Sequence, residues 1–256
     1  MSKINVNTWE PESGTALTMG ASGDTTTVPS GASLVVASGA TINITGATQT
    51  GFPSSGFTSV HHTTAASSTY AVPAGITKLL VFITGGGGSG GAGGANFGSG
   101  GGAATTVIAH VTVVPTDTIT IAIGAGGPAQ ASASTDGTAG GNSTFTHTSG
   151  SGSFDTITAP GGTVGKYNAA NAGPSAGTVG SSNDGISILG GWGGNDASGN
   201  GGVSFWGGGG QSAAPGKQVA QDATAYGAGG GGGSSTSLYY GSGAGADGIC
   251  FIMEFK

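Results

Sequence analysis

The chain of 256 residues contains 58 glycines, five lysines, no arginine and eleven acidic residues, and its formal net charge is −6. Nucleic-acid binding needs clustered lysine and arginine to neutralise phosphates, so this composition argues against a nucleic-acid partner. A single cysteine, Cys250, excludes a disulfide within the chain. No run approaches the roughly 18 apolar residues of a membrane-spanning helix, and the first residues lack the apolar core of a signal peptide.

Residues 21–50 carry an internal repeat. Ser-Gly recurs at 22–23, 30–31 and 38–39, and each pair precedes a short stretch in which apolar residues alternate with polar ones. Alternation predicts a strand with one buried face, and one such octet has too little apolar area to fold alone. We expect residues 1–57 to form a repetitive β-shaft and connector in which three chains share a core. A single-chain meander packed on the rest of the protein is the alternative.

The second predicted domain spans residues 58–256. Residues 51–68 are interpreted as a connector, and 70–84 as strand, Pro-Gly turn and strand; 107–114 and 118–123 follow as further strands. The segment 249–255 closes the domain and is predicted to pair with 78–84. Both segments are apolar on two faces, which predicts that both faces are covered.

Glycine runs dominate the intervening part of this domain, at 85–88, 207–210 and 229–233 among others. A disordered linker is one interpretation, but disordered glycine-rich chains lack the aromatic and β-branched residues found here. Apolar strands lead directly into these runs, and no window has the period of a helix. We therefore predict an all-β protein in which glycine segments pack side by side as extended threefold helices, the polyglycine II form.

Two glycine motifs resemble catalytic or cofactor-binding signatures. Residues 86–91 fit G-x-G-x-x-G after a strand, and 87–91 fit the nucleophile elbow G-x-S-x-G. Each motif needs a helix to follow, and the next residues, Ala-Gly-Gly-Ala-Asn-Phe-Gly, will not form one. We expect neither chemistry, no enzyme and no cofactor.

Aromatic side chains between the glycine runs are the predicted binding residues, because flat rings beside amide and carboxylate groups suit sugar faces or protein receptors. The alternative is that these rings cover the glycine segments and form their hydrophobic core. The candidates are Trp192, Asn195, Asp196, Phe205, Trp206, Gln211, Tyr239 and Tyr240. We predict no metal site. In a trimer, His61 or His62 could meet at the threefold axis, and an exposed connector pair is the alternative.

The layout of residues 69–256 resembles the glycine-rich terminal domain of bacteriophage tail fibres. The residues that carry the resemblance are Tyr70-x-Val-Pro-x-Gly-Ile, the strand and glycine run after it, and the closing Gly-Ala-Gly-Ala-Asp-Gly-Ile-Cys-Phe-Ile-Met-Glu-Phe. It implies a homotrimeric virion protein, made in the host cytoplasm, similar to the tail-tip adhesins of T-even-like phages. In those adhesins packed glycine helices hold exposed loops that choose the receptor.

The resemblance also implies partners. The N-terminal region looks virion-proximal and would join other tail proteins, and the tip would bind a host surface glycan or outer-membrane protein. The chain departs from the adhesins by carrying its own N-terminal repeat, which favours a whole short fibre. The alternatives are a purely structural virion protein such as a head fibre or decoration protein, a polysaccharide-degrading tail spike, and a bacterial surface adhesin.

Overall fold

The computed structural model describes residues 58–62, 66–94, 97–132, 134–168, 184–194, 199–213, 220–234 and 241–255. The predictions for residues 1–57, including the shaft and the trimer through it, lie outside this part of the chain. Within the described residues the protein is all-β and has no helix, so none could cross a membrane. The all-β prediction is confirmed.

Nine strands form two antiparallel sheets. The strands are β1 (Thr58–His62), β2 (Ser67–Ala71), β3 (Lys78–Thr84), β4 (Thr106–Thr112), β5 (Thr118–Ala122), β6 (Ser143–Ser149), β7 (Ile157–Ala159), β8 (Asp184–Ile188) and β9 (Ile249–Phe255). The first sheet has the order β1-β9-β3-β4-β8, and the second has the order β2-β5-β6-β7. The predicted pairing of 78–84 with 249–255 is confirmed, with Phe82 opposite Phe251.

The core lies between the two sheets. Alternate residues of β3 point inward and are fully buried, among them Leu79 and Val81. They belong to the same apolar cluster as Ile121 and Phe145 of the second sheet. Successive side chains of a strand face opposite sides, so this alternation gives each sheet one core face and one outer face.

Three sequence-based predictions about the strands are wrong. The predicted connector 51–68 contains β1 and the start of β2. Residues 124–247, interpreted from the sequence as glycine runs alternating with loops, contain β6, β7 and β8. Most of these strands are short and polar, so their pairing partners define them more than their own sequence does. The third error concerns coverage. Within the described residues the outer faces of β3 and β9 remain partly accessible, because the turn that carries Phe205 and Trp206 packs over only part of them.

Hydrogen bonding of the glycine segments has a period of three residues. The N–H groups of Gly86, Ser89 and Ala92 donate to the carbonyls of residues 141, 138 and 135. Residues 87 and 90 donate to 246 and 243, and residues 88 and 91 donate to 102 and 99. A strand repeats every two residues and an α-helix bonds to itself, whereas this pattern is that of an extended threefold helix. The predicted polyglycine II packing is therefore observed.

These threefold segments form a lattice, which we call the glycine lattice. The segment 86–92 donates to three neighbours and accepts N–H bonds from three others, so six segments surround it. At most of the glycine positions no side chain fits between the segments: a Cβ on Gly101 would overlap the carbonyl oxygen of Gly88. The lattice therefore satisfies its backbone polar groups through close backbone contact that only glycine permits.

The lattice has one end at the sheets and one end away from them. Segments 85–94 and 97–105 lead out from β3 and back to β4, and 241–248 returns to β9. At the far end, Ser134 N–H donates to Gly93 and Gly98 N–H donates to Gly233. We call this the distal end.

Candidate functional site

Half of the predicted binding residues belong to two stretches, 195–198 and 235–240, whose described flanking residues bond at the distal end. Asn195, Asp196, Tyr239 and Tyr240 lie outside the described residues. The described residues that flank their stretches are held at the distal end by short backbone bonds: Gly232 N–H donates to residue 199 at 2.7 Å, and Ser242 N–H donates to residue 130 at 2.9 Å. The described backbone next to these two stretches is thus fixed at one end of the lattice.

A salt bridge reinforces the distal end. Lys166 Nζ lies 2.8 Å from Asp136 Oδ2, and the backbone N–H of Tyr167 donates to Asp136 Oδ1 at 3.1 Å. The Lys166 hydrogen bond and charge, together with the Tyr167 N–H, lower the pKa of the Asp136 carboxyl below its usual value, despite the opposing effect of burial. The carboxylate therefore stays ionised at neutral pH and fixes the backbone ahead of the stretch 169–183.

Phe205 and Trp206 lie elsewhere, at the end of the lattice that adjoins the sheets. They form the tip of a tight turn in which Ser204 N–H donates to the Gly207 carbonyl at 2.8 Å. Trp206 Nε1 donates to Thr84 Oγ1 at 2.8 Å, which fastens the turn to the end of β3. This bond occupies the only polar atom of the indole, so the ring has no donor left for a sugar.

An apolar groove forms where this turn meets the first sheet. Phe205 lies 6.4 Å from Phe82 between ring centroids, and Phe82 lies 6.1 Å from Phe251. Together with Trp206 and Met253, these rings line a groove of about 240 Å³ without polar lining atoms. From the sequence, both faces of β3 and β9 were predicted to be covered, so Phe82, Phe251 and Met253 were not identified as surface residues. The available signal was that β3 and β9 carry large apolar residues on both faces.

Trp192 and Gln211 stand apart from this groove. Trp192 is 66% exposed and makes no ring contact with another aromatic of the described residues. Its neighbour Gly191 donates an N–H to Val203, so Trp192 stands on a side of the lattice. Gln211 is exposed, and its carbonyl accepts the N–H of Gln221 at 2.8 Å. The described aromatic residues of the predicted set therefore divide between a side of the lattice and the groove.

The serine and histidine residues of the other sequence motifs lie on the segment after β3 and on β1. Ser89, the serine of the G-x-S-x-G match, is fully buried, and its Oγ accepts the Thr138 N–H at 2.7 Å. The backbone of His61 and His62 lies in β1, opposite residues 251 and 250. The described part of the chain has no group of three or more His, Cys, Asp or Glu side chains placed to share a metal ion.

Two buried acids hold the sheets and their loops. Asp117 accepts N–H bonds from Val114 at 2.8 Å and Gly152 at 3.1 Å. His147 Nε2 lies 3.6 Å from the same carboxylate. Tyr70 of the second sheet donates to Glu254 Oε1 of the first sheet at 2.6 Å, a buried link between the two layers.

The architecture agrees with the comparison with known families. The model of the glycine-rich domain family matches residues 58–253, which is most of the chain. The chain belongs to the glycine-rich domain family. The matched residues run from β1 into β9, so the family region includes both sheets and the glycine lattice. No curated protein matches the chain.

Proposed function

We propose that this glycine-rich domain protein is a bacteriophage tail fibre adhesin that attaches the virion to a host cell surface. The observation that supports the proposal is the distal end, where short backbone bonds fix the flanks of two polar stretches, 195–198 and 235–240, the second of which contains Tyr239 and Tyr240. Ordering a flexible loop on binding costs free energy, and a rigid lattice reduces that cost. The resemblance of the opening and closing strands to tail fibre tips supports the same function.

The proposed receptor contact combines stacking and hydrogen bonding. Tyr239 and Tyr240 would offer flat rings with a hydroxyl, and Asn195 and Asp196 would offer amide and carboxylate groups, a combination suited to a glycan or a polar protein loop. Trp192 presents the largest exposed ring of the described residues. Several copies on one virion would raise the effective affinity of a weak single site.

The test is binding of the labelled full chain to a panel of candidate host bacteria, with two variants. The triple variant Trp192→Ala, Tyr239→Ala, Tyr240→Ala should lose binding by about 100-fold, since each aromatic anchor contributes about 1 kcal/mol or more. Tyr226→Ala is the matched control, because Tyr226 is 38% exposed but lies in the turn at the sheet end of the lattice. It should bind as the wild type does.

Three outcomes contradict the proposal in different ways. Equal binding by the triple variant and the control would place the contact elsewhere. Absence of binding by a folded wild type across the panel would favour a structural virion protein. Release of new reducing ends from host polysaccharide would indicate a tail spike enzyme.

A further inference from the structure

The outer face of the first sheet carries apolar side chains on four strands, with His110 of β4 among them. Its side chains alternate with the buried core positions and are partly or largely accessible, and Ile186 is 59% exposed. We call the following six residues the outer sheet face: Leu80, Phe82, Ile108, Ile186, Phe251 and Met253. Soluble single chains seldom expose a contiguous apolar surface of this kind, which therefore indicates a partner.

Strand composition supports the same conclusion. A strand that contacts solvent on one side has polar residues at alternate positions, whereas β3 and β9 have large apolar residues on both sides. The core covers one side, and the described residues leave the other partly open. These strands have the composition of a sheet that is covered twice.

A small ligand does not account for this surface. Small-molecule sites combine an apolar wall with a few polar groups that orient the ligand. The groove beside Phe205 has no polar lining atom, and Trp206 Nε1 is already bonded to Thr84. A broad apolar protein surface fits better than a compact ligand.

Two opposite charges border the outer sheet face. Lys78 lies on β3 two residues before Leu80, and Asp184 lies on β8 in register with His110, which is in register with Leu80. Both side chains are exposed, and neither forms an ion pair with another described residue. Regular sheet spacing puts their positions roughly 12 Å apart.

This arrangement is self-complementary. A second copy can face the first about a twofold axis that lies in the plane between the two sheets, midway between the two charges. This axis would bring Lys78 of each copy against Asp184 of the other. On regular sheet spacing, the same axis lays Ile108 of one copy over Met253 of the other and Phe82 over the strand of Phe251. The apolar residues named here then meet apolar residues, and each charge meets its opposite. His110 lies on the same face, and on this spacing it would lie close to Leu80 of the other copy.

We propose that the outer sheet face is the contact surface between two copies of this chain. The contact is independent of the receptor proposed above, because it uses neither Trp192 nor the tyrosines of the distal end. It also differs from the threefold arrangement predicted from the N-terminal repeat. The mass of the assembly distinguishes a pair from a trimer.

Charge reversal tests the pairing directly. Sedimentation velocity over a concentration series should show the full-length wild type as a dimer that dissociates on dilution. Lys78→Glu and Asp184→Lys should each raise the concentration of half-dissociation by about tenfold, since each replaces two attractive contacts with two repulsive ones. An equimolar mixture of the two variants should regain the wild-type value, because every reversed charge then faces its opposite.

Three results would overturn the proposed contact: a wild type that is monomeric throughout the series, a trimer whose dissociation neither variant changes, or a mixture that dissociates as readily as its components.

A second measurement tests burial of the outer sheet face directly, independently of any effect of the variants on stability. Ile186→Cys should react with a maleimide about tenfold more slowly above the dissociation midpoint than below it. Ser151→Cys is the control, because Ser151 is exposed beyond β6 of the other sheet, and it should react at one rate throughout. Equal rates at Ile186→Cys under both conditions would exclude its burial between copies.

Discussion

A single methyl group at the centre of the glycine lattice should destabilise this protein strongly. Gly101 N–H donates to the Gly230 carbonyl at 2.9 Å, and its own carbonyl accepts the Gly202 N–H at 2.8 Å. A Cβ at position 101 would overlap the carbonyl oxygen of Gly88, and that oxygen already accepts the Gly230 N–H. Gly101→Ala must therefore push two hydrogen-bonded segments apart.

The expected cost follows from these contacts. Overpacking a close-packed interior costs about 1–3 kcal/mol, and a buried backbone group that loses its partner costs about 1–3 kcal/mol more. Together these two terms give an expected loss of about 2–6 kcal/mol in the free energy of unfolding for Gly101→Ala. That is a large part of the roughly 5–15 kcal/mol available to a domain.

The matched control is Gly208→Ala. A Cβ at Gly208 meets no atom within 4 Å, so the methyl group has space. Its effect should lie between zero and a gain of about 1 kcal/mol, because alanine restricts the unfolded chain. Urea unfolding followed by tryptophan fluorescence measures both variants. Gly101→Ala as stable as Gly208→Ala would refute the claim that the lattice excludes side chains.

Two buried acids give the remaining predictions. Burial alone would raise the pKa of Asp117, but the Val114 and Gly152 N–H groups lower it below the usual value. The ionised Asp117 therefore stabilises the folded protein above about pH 4, and this contribution is lost at more acid pH. Asp117→Asn should lower the free energy of unfolding by about 1–3 kcal/mol at pH 7. It should also weaken the fall of the urea midpoint at acid pH, and an unchanged fall would contradict this prediction. Burial raises the pKa of Tyr70, and the hydrogen bond to Glu254 and the charge of Glu254 raise it further. The protonated Tyr70 therefore stabilises the folded protein below about pH 10, and this contribution is lost as the pH rises further. Tyr70→Phe should lower the free energy of unfolding by about 1.5–3 kcal/mol at pH 7, because it leaves the buried Glu254 side chain without its hydrogen-bond partner. The double variant Tyr70→Phe/Glu254→Leu removes both partners and should lose much less. Equal losses in the two variants would contradict this explanation.

The candidate site was only partly predictable from the sequence. Aromatic residues near glycine runs were grouped by composition, and the threefold geometry separates them. Phe205 and Trp206 fold back onto Phe82, whereas the flanks of 195–198 and 235–240 reach the distal end. Which end a residue reaches depends on where each segment turns. Hydrogen bonds to distant segments fix those turns, so local composition cannot reveal them.

The amino-acid sequence by itself determined the all-β class, because it lacks helical periodicity and has apolar strands that lead into glycine runs. It also determined the pairing of β3 with β9 and the threefold packing of glycine. Only the tertiary structure decided that short polar segments such as β8 are strands, and that the first sheet keeps an open apolar face. The physical reason is that strand pairing and burial belong to pairs of segments, whereas glycine's lack of a side chain is a property of each residue.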